Sequence, residues 1–114
     1  MTHEILQKLC LELPGVTQDI KWEHDLCFCV GDKMFSVQGL AEPFGVSFKT
    51  TSEQFDQLVA REGIRPAPYL ARYHWVLVTD LNELSASEWS EHIKLSYELV
   101  VAKLPKKIQI ELRG

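Results

Sequence analysis

Three side chains of types that bind soft metals stand close together in the sequence, namely His24, Cys27 and Cys29. Imidazole nitrogen and thiolate sulfur are common zinc ligands, and a structural zinc site needs four of them. On an extended strand Cys27 and Cys29 share one face while His24 points to the other, and no second Cys/His pair supplies the missing ligands. We therefore expect no metal site and no other cofactor, although the two thiols could be oxidisable if the outer face of the sheet is open.

The side chains that could act as acid, base or nucleophile are His24 with Asp25, His74, Ser96 and Tyr97. None of them lies in a nucleophile elbow, a phosphate-binding loop or a glycine-rich dinucleotide turn. Tyr97 falls in the apolar stripe of a predicted helix, so we expect its ring to be buried and its hydroxyl to find one partner. Ser96 is small enough to let that helix approach a sheet. The sequence thus predicts no catalytic residues and a protein that is not an enzyme.

Basic residues are segregated along a chain that is acidic as a whole, with 12 Lys and Arg against 16 Asp and Glu and a formal net charge of −4. This balance excludes a uniformly basic coat protein but not a local basic patch. Residues 61–79 carry three arginines and one acid, and residues 103–114 carry four basic residues and one acid. Cations could contact phosphates while neighbouring tyrosine rings stack on bases. The predicted nucleic-acid-binding residues are Arg65, Tyr69, Arg72, Tyr73, Lys103, Lys106 and Lys107.

Length and composition are those of one globular domain. The 114 residues are 25% charged and 46% hydrophobic, which is ordinary usage for a single core. No apolar run approaches a membrane span and no secretion signal opens the chain. Three cysteines are odd in number and too few for a disulfide framework, so reduced thiols are expected. These features predict a soluble cytoplasmic protein that does not bind membranes.

Hydrophobic periodicity predicts the first half of the fold. Thr2 can cap a helix that ends at Pro14-Gly15, because its apolar residues recur at spacings of three and four. From about Lys21 to Val30 the period changes to two, which predicts a strand. Two further alternating segments follow, the first of them after a tight turn at Gly31-Asp32, and together they predict a three-stranded meander.

The second half alternates between helix and strand. Thr51 with Gln54, and Ser85 with Glu88, have the spacing of capping boxes that open a second and a third helix. The segment 64–73 shows neither period and is interpreted as an ordered loop, whereas 74–79 predicts a fourth strand inside the sheet. Pro105 ends the third helix, and the tail from residue 108 to 114 alternates like an edge strand.

The predicted element order is αβββαβα within one domain over residues 1–107, followed by the tail. Three helices suffice to cover one face of a four-stranded antiparallel sheet, or a five-stranded one if the tail pairs. The fold class is therefore α+β, a two-layer sandwich whose other sheet face is open. That open face could bind a protein partner or a second copy of the chain, and so could the tail strand.

Several sequence blocks together resemble the MmcQ/YjbR family over roughly residues 1–107. They are Leu13-Pro14-Gly15-Val16, Trp22, Gly31-Asp32-Lys33-Met34-Phe35, Lys49, Ala67-Pro68-Tyr69-Leu70, Tyr73-His74-Trp75-Val76 and Ser96-Tyr97-Glu98-Leu99-Val100 with Lys103-Leu104-Pro105-Lys106-Lys107. The resemblance implies a bacterial protein with a CyaY-like fold related in architecture to frataxin. It also implies DNA binding through wing-like projections.

We accordingly predict a non-enzymatic DNA-binding protein that makes weak, salt-sensitive contacts to the phosphate backbone through a local basic surface. The alternative is a protein-interaction module, or a dimer, that uses the open face of the sheet. Iron binding by analogy with frataxin is not expected, because the acidic residues of the first helix and strand are scattered rather than clustered.

Overall fold

Side-chain caps open the first three helices, as predicted. In the computed structural model, which describes residues 1–42 and 44–113, the Thr2 hydroxyl accepts a hydrogen bond from a backbone N–H of the first turn. Thr51 with Gln54, and Ser85 with Glu88, form complete capping boxes. These bonds satisfy N–H groups that have no partner inside a helix. The helices are α1 (His3–Leu11), α2 (Ser52–Val59), α3 (Ala86–Val101) and α4 (Lys106–Arg113).

Six antiparallel strands form one sheet, so the predicted count of four or five was too low. The order across the sheet is β1-β2-β3-β4-β6-β5, and the fold class α+β is confirmed. The extra strands arise at both edges, which changes the predicted element order to αββββαββαα; the CyaY-like architecture stays a prediction. The strands are β1 (Thr17–Lys21), β2 (Asp25–Val30), β3 (Lys33–Gly39), β4 (Val46–Lys49), β5 (Ile64–Pro66) and β6 (Trp75–Val78).

Both edge strands lie where the hydrophobic pattern was misleading. The predicted strand from Lys21 to Val30 is interrupted by a turn at Trp22 and Glu23, whose φ angles of 52° and 65° are left-handed. The strand before this turn is β1, which pairs with β2 to form a hairpin. The predicted loop 64–73 contains β5, which tolerates Pro66 because an edge strand needs fewer ladder hydrogen bonds.

The C-terminal tail is a helix and not the predicted edge strand. Apolar residues that alternate also recur four apart, and the helix uses that second spacing: Ile108 and Leu112 pack against the core while Ile110 is exposed. The side-chain amide of Gln109 donates to the carbonyl oxygen of Leu104 at 2.7 Å, which ties α4 to the end of α3. Gly114, the last residue of the predicted tail, lies outside the described residues.

The register of the sheet assigns side chains to two faces. A bulge between β2 and β3 shifts the pairing, so the adjacent residues Phe35 and Ser36 are both fully buried. Phe48 belongs to the core face, where its ring meets the ring of Trp89 on α3 at 5.7 Å between centroids. The opposite face carries four residues that are aligned across β2, β3, β4 and β6, namely Cys27, Val37, Ser47 and Leu77.

Ser96 joins α3 to the sheet. The ladder between β3 and β4 ends at the pair Ser36–Phe48, and the next pair in register would be Phe35 with Lys49. Instead, the Ser96 hydroxyl donates to the Phe35 carbonyl oxygen at 2.6 Å and accepts from the Lys49 N–H at 2.9 Å. This small hydroxyl therefore continues the ladder from the helix layer.

Candidate functional site

Two of the predicted nucleic-acid-binding residues form one unit on a short 3-10 turn, Ala71–Tyr73. The Arg72 guanidinium lies 4.8 Å from the centre of the Tyr73 ring, and its Nη2 donates to the Tyr73 hydroxyl oxygen at 2.7 Å. Both side chains are exposed to solvent. The ring therefore holds the guanidinium in place while N–H donors remain available to a ligand.

Lys49, the last residue of β4, relates Lys103 to this unit, because both Lys103 and Tyr73 influence its pKa. The pKa of Lys49 is lowered, first by burial and then by the positive charge of Lys103, while Tyr73 acts in the opposite direction. Both residues are therefore within electrostatic range of Lys49. We call Lys49, Arg72, Tyr73 and Lys103 the cationic corner.

The remaining predicted residues are distributed differently. Arg65 is exposed on β5 opposite Leu77, and Tyr69 lies at a cleft on the open face of the sheet. Lys106 and Lys107 begin α4 and are exposed a few residues after Lys103. The structure thus groups three of the seven predicted residues around Lys49 and does not gather all seven into one surface.

Arg61 is a basic residue whose charge is neutralised by ion pairs within the fold. Its Nη1 and Nε lie 2.8 Å and 3.2 Å from the carboxylate oxygens of Glu88 and Glu83, and its Nη2 also donates to the Glu83 carbonyl oxygen. These hydrogen bonds raise the pKa of Arg61 and lower that of Glu88 to about 2. Over residues 1–42 and 44–113 no other ion pair forms, so Lys49, Lys103 and Arg72 have no carboxylate partner there.

The open face of the sheet holds a cleft of about 670 Å³. Its floor is the outward side of the central strands, and the loop at residues 67–70 together with the β1–β2 turn forms its sides. Apolar side chains supply most of the lining, with Asp25 and Ser47 as the polar side chains. The large apolar and aromatic residues of the lining are Trp22, Met34, Val37, Tyr69, Leu70 and Leu77.

Two exposed aromatic residues at this cleft have strained backbones. Trp22 and Tyr69 have φ angles of 52° and 67°, in the left-handed region that costs a non-glycine residue about 1–2 kcal/mol. As whole residues they are 67% and 98% exposed, so Tyr69 gains almost nothing from burial and Trp22 buries only about a third of its surface. Sequence reasoning singled out Tyr69 but missed this setting, because only the folded loop places it beside Trp22.

The thiols predicted as oxidisable candidates are buried. Cys27 and Cys29 are 0% and 6% exposed, and burial raises the pKa of Cys27 to about 11 and also raises that of Cys29. A thiol in this state forms little of the reactive thiolate. Within the described part of the chain no three His, Cys, Asp or Glu residues are grouped as metal ligands.

The hydroxyl groups considered for catalysis have structural partners. Ser96 bridges Phe35 and Lys49, as described above, and the Tyr97 hydroxyl donates to the Pro14 carbonyl oxygen at 2.6 Å. The predicted single partner of Tyr97 is thereby confirmed. His74 packs edge-on against the Phe55 ring at 5.9 Å between centroids.

None of the helices that the structure describes has the length and apolar character needed to cross a membrane.

Comparison with known proteins identifies relatives over nearly the whole chain. The family model YjbR matches residues 11–99. The uncharacterised protein YbdF of Escherichia coli O157:H7 is 31% identical over 119 aligned residues, which cover 97% of this chain and 93% of that protein. The crystal structure of Deinococcus radiodurans protein DR2400 superposes with a TM-score of 0.87 at 28% identity, covering 97% of this chain and 87% of that one. A crystal structure from Pseudomonas syringae gives a TM-score of 0.71 at 22% identity, covering 87% and 98% of the two chains, and is similar in fold.

Proposed function

This chain belongs to the YjbR family, and from that premise we propose that it is a non-enzymatic protein that binds the phosphate backbone of DNA through the cationic corner. Lys106 and Lys107, which follow Lys103 on the exposed start of α4, extend the proposed contact. Arg65 and Tyr69 stand on the side of the cleft and belong to a different surface.

The proposal is supported by three cations that have no carboxylate partner among residues 1–42 and 44–113: Arg72 lies against the Tyr73 ring, and Lys103 acts electrostatically on Lys49. Lys103 lowers the pKa of Lys49, so the two ammonium groups repel one another in the free protein. A phosphate placed between them would remove that repulsion and accept a bidentate contact from Arg72. Tyr73 adds a half-exposed ring beside the same site, as proteins that stack on bases require.

The corner also predicts the strength of the binding. The three cations of the corner, each neutralising one phosphate, give a slope of about −2.7 for the logarithm of the affinity against the logarithm of the salt concentration, and Lys106 and Lys107 each add about −0.9. The net charge of −4 opposes approach to DNA at long range. We therefore expect binding that is measurable at low salt and weak near physiological salt.

The test is fluorescence anisotropy with a labelled duplex of about 20 base pairs, which is long enough for several phosphate contacts. The double variant Arg72→Gln with Lys103→Gln is expected to reduce the salt slope by about two and to lose most of the affinity. The matched control is Lys94→Gln, because Lys94 is an exposed lysine on α3, the helix that precedes Lys103. No binding at low salt, or an equal loss in the control, would overturn the proposal.

A second candidate function is binding at the open face of the sheet, and the exposed pair Trp22 and Tyr69 at the cleft favours it. A protein partner and a second copy are the occupants expected from the sequence. The cleft is concave and within the usual size of small-ligand sites, about 300–1,000 Å³, whereas dimers bury broad surfaces. Light scattering over a range of concentrations tests the dimer: a constant monomer mass would exclude a second copy and leave a protein partner or a small ligand as the occupant.

A further inference from the structure

The two aromatic residues at the open-face cleft are not explained by the stability of the fold. Trp22 and Tyr69 adopt left-handed backbone conformations, where glycine or asparagine is the favoured residue. Both side chains are mostly in solvent, so neither supports the core. Strained residues of this kind gather at ligand sites, and here they stand at the mouth of the same cleft. Their position indicates that the rings serve a ligand.

Among the described residues that line the cleft, the carboxylate is that of Asp25. That residue is half-buried, and its carboxylate has no hydrogen-bond or ion-pair partner in the described part of the chain. Lys21 is opposite it on β1, yet the two side chains form no ion pair. Asp25 therefore leaves a negative charge available beside an apolar wall.

These features together select the charge of the ligand. An aromatic face attracts a cation through its negative π surface, most strongly for tryptophan, and a nearby carboxylate adds to the attraction. An anion would meet the Asp25 carboxylate in the lining, whereas the nearby cations, Lys21 opposite Asp25 and Arg65 opposite Leu77, are not lining residues. A neutral apolar ligand would cover the carboxylate without giving it a partner, which is unfavourable.

We propose that the open-face cleft binds a small organic cation, a substituted ammonium group that lies against Trp22 and Tyr69 with its charge towards Asp25. This inference rests on the second candidate function, ligand binding at the open face, and is independent of DNA binding at the cationic corner. The apolar residues Met34, Val37 and Leu77 would contact the hydrocarbon part of the ligand.

The test uses choline as the probe and its uncharged carbon isostere, 3,3-dimethylbutan-1-ol, as the matched ligand. Binding is followed by NMR of the labelled protein, in which the indole N–H signal of Trp22 reports on the cleft. Choline is expected to shift that signal in a saturable way, with an affinity about tenfold higher than that of the isostere. The variant Asp25→Asn is expected to reduce this difference, because it removes the charge and keeps the shape, while the attraction of the two rings for the cation remains.

Trp22→Asn and Tyr69→Asn test the aromatic residues without adding strain, since asparagine tolerates the left-handed conformation. Each variant should lose choline binding while its melting temperature is maintained or rises; because Trp22→Asn removes the indole reporter, binding to that variant is followed by the backbone N–H signals of Val37 and Tyr69 in the cleft lining. The control is Asp32→Asn, which has a similar φ of 64° in the β2–β3 turn and is not part of the cleft lining; it should bind choline normally.

The outcomes separate this inference from the function on which it rests. Equal binding of choline and the isostere at the Trp22 signal would overturn charge selection but support ligand binding at the open face. If neither probe shifts the Trp22 signal at any concentration tested, the organic-cation inference is overturned. If Trp22→Asn and Tyr69→Asn lower the melting temperature instead, the rings stabilise the fold and both the inference and the second candidate function lose their basis.

Discussion

Replacing Ser96 by alanine should destabilise the protein well beyond the loss of one surface hydroxyl. The variant would leave the Phe35 carbonyl oxygen and the Lys49 N–H without the partner that joins them at the end of the β3–β4 ladder. Each buried polar group without a partner costs about 1–3 kcal/mol. Alanine recovers about 0.5 kcal/mol through its higher helix propensity. The two groups together cost about 2–6 kcal/mol, so we expect the free energy of unfolding to fall by about 1.5–5.5 kcal/mol.

Urea unfolding followed by tryptophan fluorescence measures this change, and thermal unfolding followed by circular dichroism provides a second readout. For a chain of this length the melting temperature should fall by about 6–22 °C. Ser90→Ala is the matched control, because Ser90 is exposed on the same helix, and its effect should stay within about 0.5 kcal/mol. If Ser96→Ala matches that control, β3 and β4 close the gap by themselves, and the proposed bridging role of the hydroxyl is wrong.

Three further predictions follow from contacts elsewhere. Glu88→Gln should remove the share of Glu88 in the loss of stability that the wild type shows as the pH falls from about 4.5 towards 2, because Arg61 lowers the pKa of Glu88 in the folded state to about 2 and its charge stabilises fully only above that range. Gly15→Ala should destabilise the fold, because φ is 73° and the new Cβ would collide with the Leu112 side chain; the variant Leu112→Ala should relieve part of that effect. The three thiols, including Cys10 with a pKa raised by burial to about 12, should resist a thiol reagent at pH 8 and react after unfolding.

Each of these predictions has a control or a contradicting result. Glu91→Gln, an exposed carboxylate on the same helix, should leave the acid unfolding of the wild type unchanged. The stability change at Glu88 is expected to be modest, about 1 kcal/mol or less, because the ion pair is partly exposed. Additive effects of Gly15→Ala and Leu112→Ala in denaturant titrations would contradict their contact. Rapid labelling of any thiol in the native protein would show that the sheet opens around it.

Local hydrogen bonds made the helix starts predictable. Thr51 with Gln54, and Ser85 with Glu88, interact over three residues, so the sequence alone specifies both capping boxes. The general class, α+β with an antiparallel sheet, followed in the same way from short-range periodicity. Long-range contacts decided the two edge strands and the C-terminal helix, and there the predictions failed.

The tail shows how a long-range contact selects between two readings of one pattern. Ile108, Ile110 and Leu112 satisfy both a strand period of two and a helix spacing of four. Gln109 binds the carbonyl oxygen at the end of α3, and Leu112 packs against the loop at Gly15, so the helix is selected. Neither contact is visible in the local sequence. The turn at Trp22 failed for a related reason, because a tryptophan is favoured in strands and left-handed turns rarely contain one.

Charge counted along the chain also differs from charge available at the surface. The sequence grouped Arg61 with Arg65 and Arg72 as one basic segment, but Glu83 and Glu88 neutralise Arg61. Lys49 lies in an acidic half of the chain, yet it stands beside Lys103 and has no acidic partner in the described residues. Because the ion pairs form between distant segments, folding separates one cationic corner from a cleft whose charged lining residue is Asp25. The net charge of −4 does not reveal this separation, and the two proposals together predict that DNA at the cationic corner and an organic cation at the cleft bind without competing.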